Sequence, residues 1–141
     1  MKDESLHEAA AAGDLLEVIE LIQNSHDLNA FDDISCTPLH HAVRGEHYGV
    51  IKLLLQAGAD INSHEKDKNG ETPLGEVADK CSLKMARTLI DAGANPTVLG
   101  WMHITALHRA SKRTKDEGKK VYQLLQSVNA TLLANRKIFG S

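Results

Sequence analysis

A chain of 141 residues and 15.4 kDa has the length of one ordinary domain. Leu, Ile, Val and Phe make up about a quarter of it, which excludes a disordered polypeptide. The longest wholly apolar runs, such as Ala9 to Ala12 and Leu53 to Leu55, fall far short of the roughly 20 residues of a membrane span, and the net charge is only −3.

Read in chain order, the residues predict pairs of short helices. The first pair lies at 5–12 and 16–24, with Ser5-Leu6-His7-Glu8 spaced as a capping box. Asp32-Asp33 reads as a turn. Thr37-Pro38 then starts a helix at 38–44, because Thr caps a free N–H and Pro at the next position forfeits no bond. Its companion spans 48–56 and is stopped by Gly58. Thr72-Pro73 opens 73–80, and Gly93 closes 83–91. The last pair is expected at 106–113 and 117–127, followed from Asn129 to Ser141 by a short turn and a loose end. Helices this short are not stable alone, so stacking must hold them. Only five aromatic residues against 34 Ala and Leu also suit close helix packing.

The pattern repeats. Thr37-Pro38-Leu39-His40 recurs as Thr72-Pro73-Leu74-Gly75 and as Thr105-Ala106-Leu107-His108, at spacings of 35 and 33. Leu6-His7 sits 33 residues before Leu39-His40. Independently, Gln56-Ala57-Gly58-Ala59-Asp60 returns 35 residues later as Asp91-Ala92-Gly93-Ala94-Asn95. The stretch from Thr37 to Asn62 closely resembles the ankyrin repeat. The resemblance implies an all-α ankyrin-repeat solenoid of four helix-turn-helix units with hairpin-like connecting loops. The units fall at about 1–33, 34–67, 68–100 and 101–135, one domain over 1–135 with a tail at 136–141. Glu20 and Gln126 stand where other units carry apolar residues, so the outer faces of the end units are expected to meet water and the four units to form a complete stack. Glu46 and Cys81 replace glycines usual in the family, and the loop before Thr72 is two residues longer than that before Thr37, so distorted turns are expected there.

His7, His40 and His108 occupy equivalent positions, but units about 8–10 Å apart cannot share an ion bound at about 2 Å, so no metal is expected. The resemblance instead gives these histidines a structural hydrogen bond to backbone, which Gly75 should lack. Cys36 and Cys81 lie in different units, with no C-x-x-C pair, phosphate loop or paired catalytic acids. No catalytic residue, enzymatic activity or cofactor is therefore expected. Reduced thiols and a start without an apolar signal core point to the cytoplasm.

The resemblance implies a protein–protein interaction module that uses its hairpin tips and the inner face of its first helices. Carried over position by position, the tips are Asp32, Asp33, Ile34 and Cys36, then Lys68, Asn69 and Glu71, then Trp101, Met102 and Ile104. The inner-helix positions are Arg44, Asp79, Lys80, Lys112 and Arg113, with Gly45 beside them. Charge is graded along this surface: residues 1–70 carry −8 and residues 71–141 carry +5. The only Trp, Trp101, is either an exposed anchor or a cover for the last unit. An adaptor, or an inhibitor of an enzyme or toxin, acting as a monomer is the expected role. The alternative is a binder of nucleic acid or anionic lipid headgroups through the basic last unit, which the pI near 6.2 and the lack of stacking aromatics disfavour.

Overall fold

Among the described residues, five helices start at a side-chain cap, and three stop before a left-handed glycine. The computed structural model describes residues 3–24 and 26–139 and contains eight α-helices among them. These are α1 Ser5–Ala12, α2 Leu15–Gln23, α3 Pro38–Arg44, α4 Tyr48–Gln56, α5 Pro73–Val77, α6 Leu83–Asp91, α7 Ala106–Ser111 and α8 Asp116–Phe139. Thr37, Thr72 and Thr105 each accept a backbone N–H three residues on. Asp14 and Ser82 do the same for α2 and α6. Gly58 and Gly93 follow α4 and α6 with φ of 104° and 96°, and the next N–H returns to the helix in each case.

The first helices stack in one row, α1 on α3, α3 on α5 and α5 on α7. Behind them α2 packs on α4, and α6 on α8. Repeat spacing is also core spacing: Leu6, Leu39 and Leu74 are buried at equivalent positions, with Ala10, Val43 and Ala110 beside them on the same row. The second row adds Val18, Leu54, Leu89 and Leu125. Tyr48 and Tyr122 only lean on this core, which is otherwise aliphatic. Side-chain amides link neighbouring units. Asn29 accepts the Asp60 N–H, and Asn62 accepts the Asn95 N–H while donating to the Gly93 carbonyl.

Five local expectations need correction or refinement. Ser5 does not cap α1; Glu4 stands at the cap without a side-chain bond, and Ser5 is already helical. α5 stops at Val77 and not at 80; residues 78–80 form a turn over which the Lys80 and Cys81 N–H groups share the Val77 carbonyl. The segment from Asn129, expected as a turn and loose end, continues α8 to Phe139. Glu46, standing where the family has Gly, keeps the left-handed backbone at φ 57°, a conformation that costs a side-chain-bearing residue about 1 kcal/mol or more. The longer loop before Thr72 folds its extra residues into a single 3₁₀ turn, Lys66–Lys68. Glu20 and Gln126 are both exposed on their outer faces.

Candidate functional site

The tips of the connecting loops are tight backbone turns. At the first, Asp32 N–H bonds to the Cys36 carbonyl, and Asp32 Oδ1 accepts the N–H groups of Ile34 and Cys36. This pins the turn and pushes Ile34 outward, 63% exposed, beside exposed Asp33. At the second, Lys68 and Asn69 are exposed, and Lys68 sits 3.4 Å from Glu65. The third runs from Gly100 to Ile104, which close a backbone bond. Here Trp101 is 56% and Met102 62% exposed, so the ring is not folded down as a cover; Ile104 is half-buried. Met102 and His103 are both left-handed, at φ 58° and 57°. Leu99, 56% exposed, extends this apolar tip. It is absent from the positions expected from the repeat, although an unpaired apolar residue two before the Trp is a signal that the sequence carries.

Below the first tip lies a polar network that the sequence does not suggest. His41 Nε2 donates to Asp32 Oδ2 at 2.7 Å. The Cys36 thiol donates to Glu76 and receives Arg44 Nη2 at 3.3 Å, while Arg44 and Glu76 form an ion pair. Burial and the Glu76 carboxylate push the Cys36 thiol up to about 11, which leaves it protonated and a poor nucleophile at neutral pH. Burial opposes ionisation of Asp32, but the His41 bond and two backbone N–H groups outweigh it and hold the carboxyl below its ordinary value. Asp32, Cys36 and His41 present ligand-type atoms within 4.8 Å of one another. Each of those groups already has a hydrogen-bond partner, and a guanidinium adjoins the sulfur, so the donor set suits a hairpin-to-helix tie better than a cation. Arg44 and buried Cys36 thus belong to this internal network.

Two of the three equivalent histidines make the bond that the resemblance implies, while His108 is exposed. His7 Nε2 reaches the Ala30 carbonyl at 2.7 Å, and His40 Nε2 the Glu71 carbonyl at 2.6 Å. His40 Nδ1 accepts the Thr37 N–H, so its proton resides on Nε2. Burial holds the His40 pKa below the ordinary 6.5 despite the Glu71 carbonyl. The neutral ring therefore contributes stability in full above pH 6.5. That contribution is lost as pH falls from 6.5 toward the folded-state value, at up to about 1.4 kcal/mol per pH unit. Urea unfolding at a series of pH values should show this decline in the wild type and lose that component in His40→Gln.

Gly75 has no ring to offer, and the Glu71 side chain occupies the space instead. A Cβ on Gly75 would lie 3.0 Å from Glu71 Oε1, and one on Gly100 would overlap the same oxygen outright. Glu71 Oε2 meets Arg109 Nη2 at 2.5 Å and accepts the Trp101 backbone N–H. The tie expected to be loose is therefore remade from a carboxylate whose repeat position is that of a tip residue.

Asp79, Lys80, Lys112 and Arg113 converge at the basic end, where with Arg109 and Lys115 they line a cleft of about 420 Å³. Arg113 Nη1 donates to the Cys81 carbonyl at 2.7 Å, and its chain lies against Gly118, so its position is fixed by the fold. Asp79, Lys80 and Lys112 are exposed.

Known proteins share this arrangement of residues. A family model described as ankyrin repeats, three copies, matches residues 6–99, two thirds of the chain. Among similar proteins, the Ankyrin repeat and KH domain-containing protein mask-1 of Caenorhabditis elegans is 38% identical over 65% of this chain and 3% of its own length. The RelA-associated inhibitor of Mus musculus is 32% identical over 63% of this chain and 11% of its own length. Ankyrin repeat domain-containing protein 40 of Mus musculus is 42% identical over 42% of this chain and 16% of its own. The chain thus spans only a small part of these relatives. Repeats of this kind are generally interaction modules without catalysis, and no helix among the described residues is long and apolar enough to cross a membrane. The matched register, the capped helix pairs and the stacked leucines agree: the chain belongs to the ankyrin-repeat family.

Proposed function

We propose that this protein is a monomeric, cytoplasmic protein-binding module, an adaptor or an inhibitor, that captures a protein partner through its hairpin tips and the inner face of its first helices. One observation carries the reading. The third tip exposes Trp101 and Met102 side by side while holding Met102 and His103 in left-handed backbone. Exposing a Trp forgoes burial, and each strained residue costs on the order of 1 kcal/mol or more, so the folded state gains nothing from the display. A partner that buries the ring gains from it, since Trp is enriched among residues that dominate interfaces. Ile34 and Leu99 offer further apolar tips, and both cysteines are free and buried, as suits a reducing compartment.

The test is quantitative capture from an extract of the source cell. Trp101→Ala should reduce capture of the bound protein by tenfold or more, the loss of roughly 1.4 kcal/mol or greater typical of an anchor. Lys52→Ala on α4 should leave capture unchanged, and both variants should keep wild-type helicity. Equal capture by Trp101→Ala would remove Trp101 from the surface.

A further inference from the structure

We propose that the basic cleft between the α5–α6 turn and the α7–α8 turn seats a short acidic segment of the protein partner. This rests on the reading of the inner face as a protein-binding surface. The cleft is lined by Lys80, Arg109, Lys112, Arg113 and Lys115, with Asp79 as the acid among them. Two of these cations are spoken for. Arg109 pairs with Glu71, and Arg113 donates to the Cys81 carbonyl. They form a rigid floor. Lys80, Lys112 and Lys115 are exposed at the rim and take part in no ion pair among the described residues. Arg109 Nε is buried and lacks an acceptor, so Arg109 stays with Glu71 and adds no free donor for a ligand. Concentrated uncompensated cations around an open cavity attract carboxylates, and because the lysines are exposed the attraction is screened by salt.

The charge gradient fixes the kind of anion. A long polyanion laid along the inner face would leave the cleft and meet units whose sequence carries −8 over residues 1–70. Repulsion there opposes nucleic acid, and the lining offers no aromatic platform for bases. A cavity of about 420 Å³ takes a few side chains. The matching ligand is therefore a short run of Asp or Glu continuing into neutral or basic residues, its polarity setting the direction in which it lies on the stack.

A dye-labelled peptide of consecutive glutamates followed by a Gly-Ser stretch is the probe, titrated into the full chain by fluorescence anisotropy. Binding is expected to weaken as salt rises, to drop about tenfold or more in Lys80→Glu/Lys112→Glu, and to persist in Trp101→Ala. Circular dichroism confirms that each variant is folded. Absence of binding at low salt, equal binding by the charge-reversed variant, or tighter charge-dependent binding of a thymidine single strand would each overturn the proposal. If the charge-reversed variant fails to alter peptide binding while Trp101-dependent capture persists, the cleft assignment fails and the protein-binding reading stands. If peptide binding depends on Lys80 and Lys112 while capture proves independent of Trp101, the cleft assignment stands and the tip assignment fails.

Discussion

Truncating Glu71 to Ala should lower the unfolding free energy by about 2–4 kcal/mol, an effect more often met in cores than at loop tips. The Glu71 and Arg109 side chains are only 18% and 21% exposed, and their atoms meet at 2.5 Å. Removing the carboxylate leaves the guanidinium with fewer acceptors, when its Nε already has none, and releases the Trp101 N–H as well. A fully buried pair broken in this way costs about 3–5 kcal/mol, and partial exposure lowers the figure. Burial raises the Glu71 pKa although Arg109 opposes it, so the carboxyl is under strain that only its partners relieve. The same geometry makes Gly100→Ala a probe. Its new Cβ would overlap Glu71 Oε1 and must drive the carboxylate off Arg109. In a double-mutant cycle followed by urea denaturation, Gly100→Ala should cost at least about 1 kcal/mol less in the Glu71→Ala background than in the wild type. Additive effects would show that Glu71 does not hold the third tip.

Leu54→Ala should cost about 3–5 kcal/mol and end unfolding in a single step. Leu54 is 0% exposed on α4, inside the second unit. Its deletion leaves a cavity in a largely aliphatic core. Each unit in a solenoid is stabilised only through its neighbours, so damage in the second unit uncouples the first from the third. Leu53, only partly buried, should cost about half as much or less on the same change. Calorimetry should show a broadened or divided transition for Leu54→Ala and a single lowered one for Leu53→Ala. One sharp transition in both would contradict nearest-neighbour coupling.

Helix starts are legible in the sequence because capping is local: Thr37 and Thr72 reach only three residues ahead, and Gly58 needs only its own φ. The length of α8 is not legible, for the converse reason. Its continuation past 128 rests on Ala130, Leu132, Leu133, Ala134 and Lys137, good helix formers with no Pro or Gly among them, whereas the register of shorter units suggests a stop. Tip positions follow from the repeat, and so does the exposure of Ile34 and Met102. The internal commitments of Arg44, Glu71 and Arg113 do not. Glu71 and Arg109 are distant in sequence, and what joins them is the space left by two glycines, Gly75 and Gly100. That space exists only once the units have stacked. The Asp32–His41 bond is hidden in the same way, because it spans a hairpin and the helix after it.

The central claim is that partners are held on the tips and inner face and not on the outer row. A photo-crosslinking phenylalanine derivative placed at 101, at 112, or at 52 on α4 and irradiated in extract of the source cell tests it most directly. The expected result is one discrete protein adduct from 101 and 112 and none from 52. Excess unmodified protein should suppress the adduct from 101, and the same excess of Trp101→Ala should suppress it much less. The same adduct from position 52, with none from 101, would contradict the account.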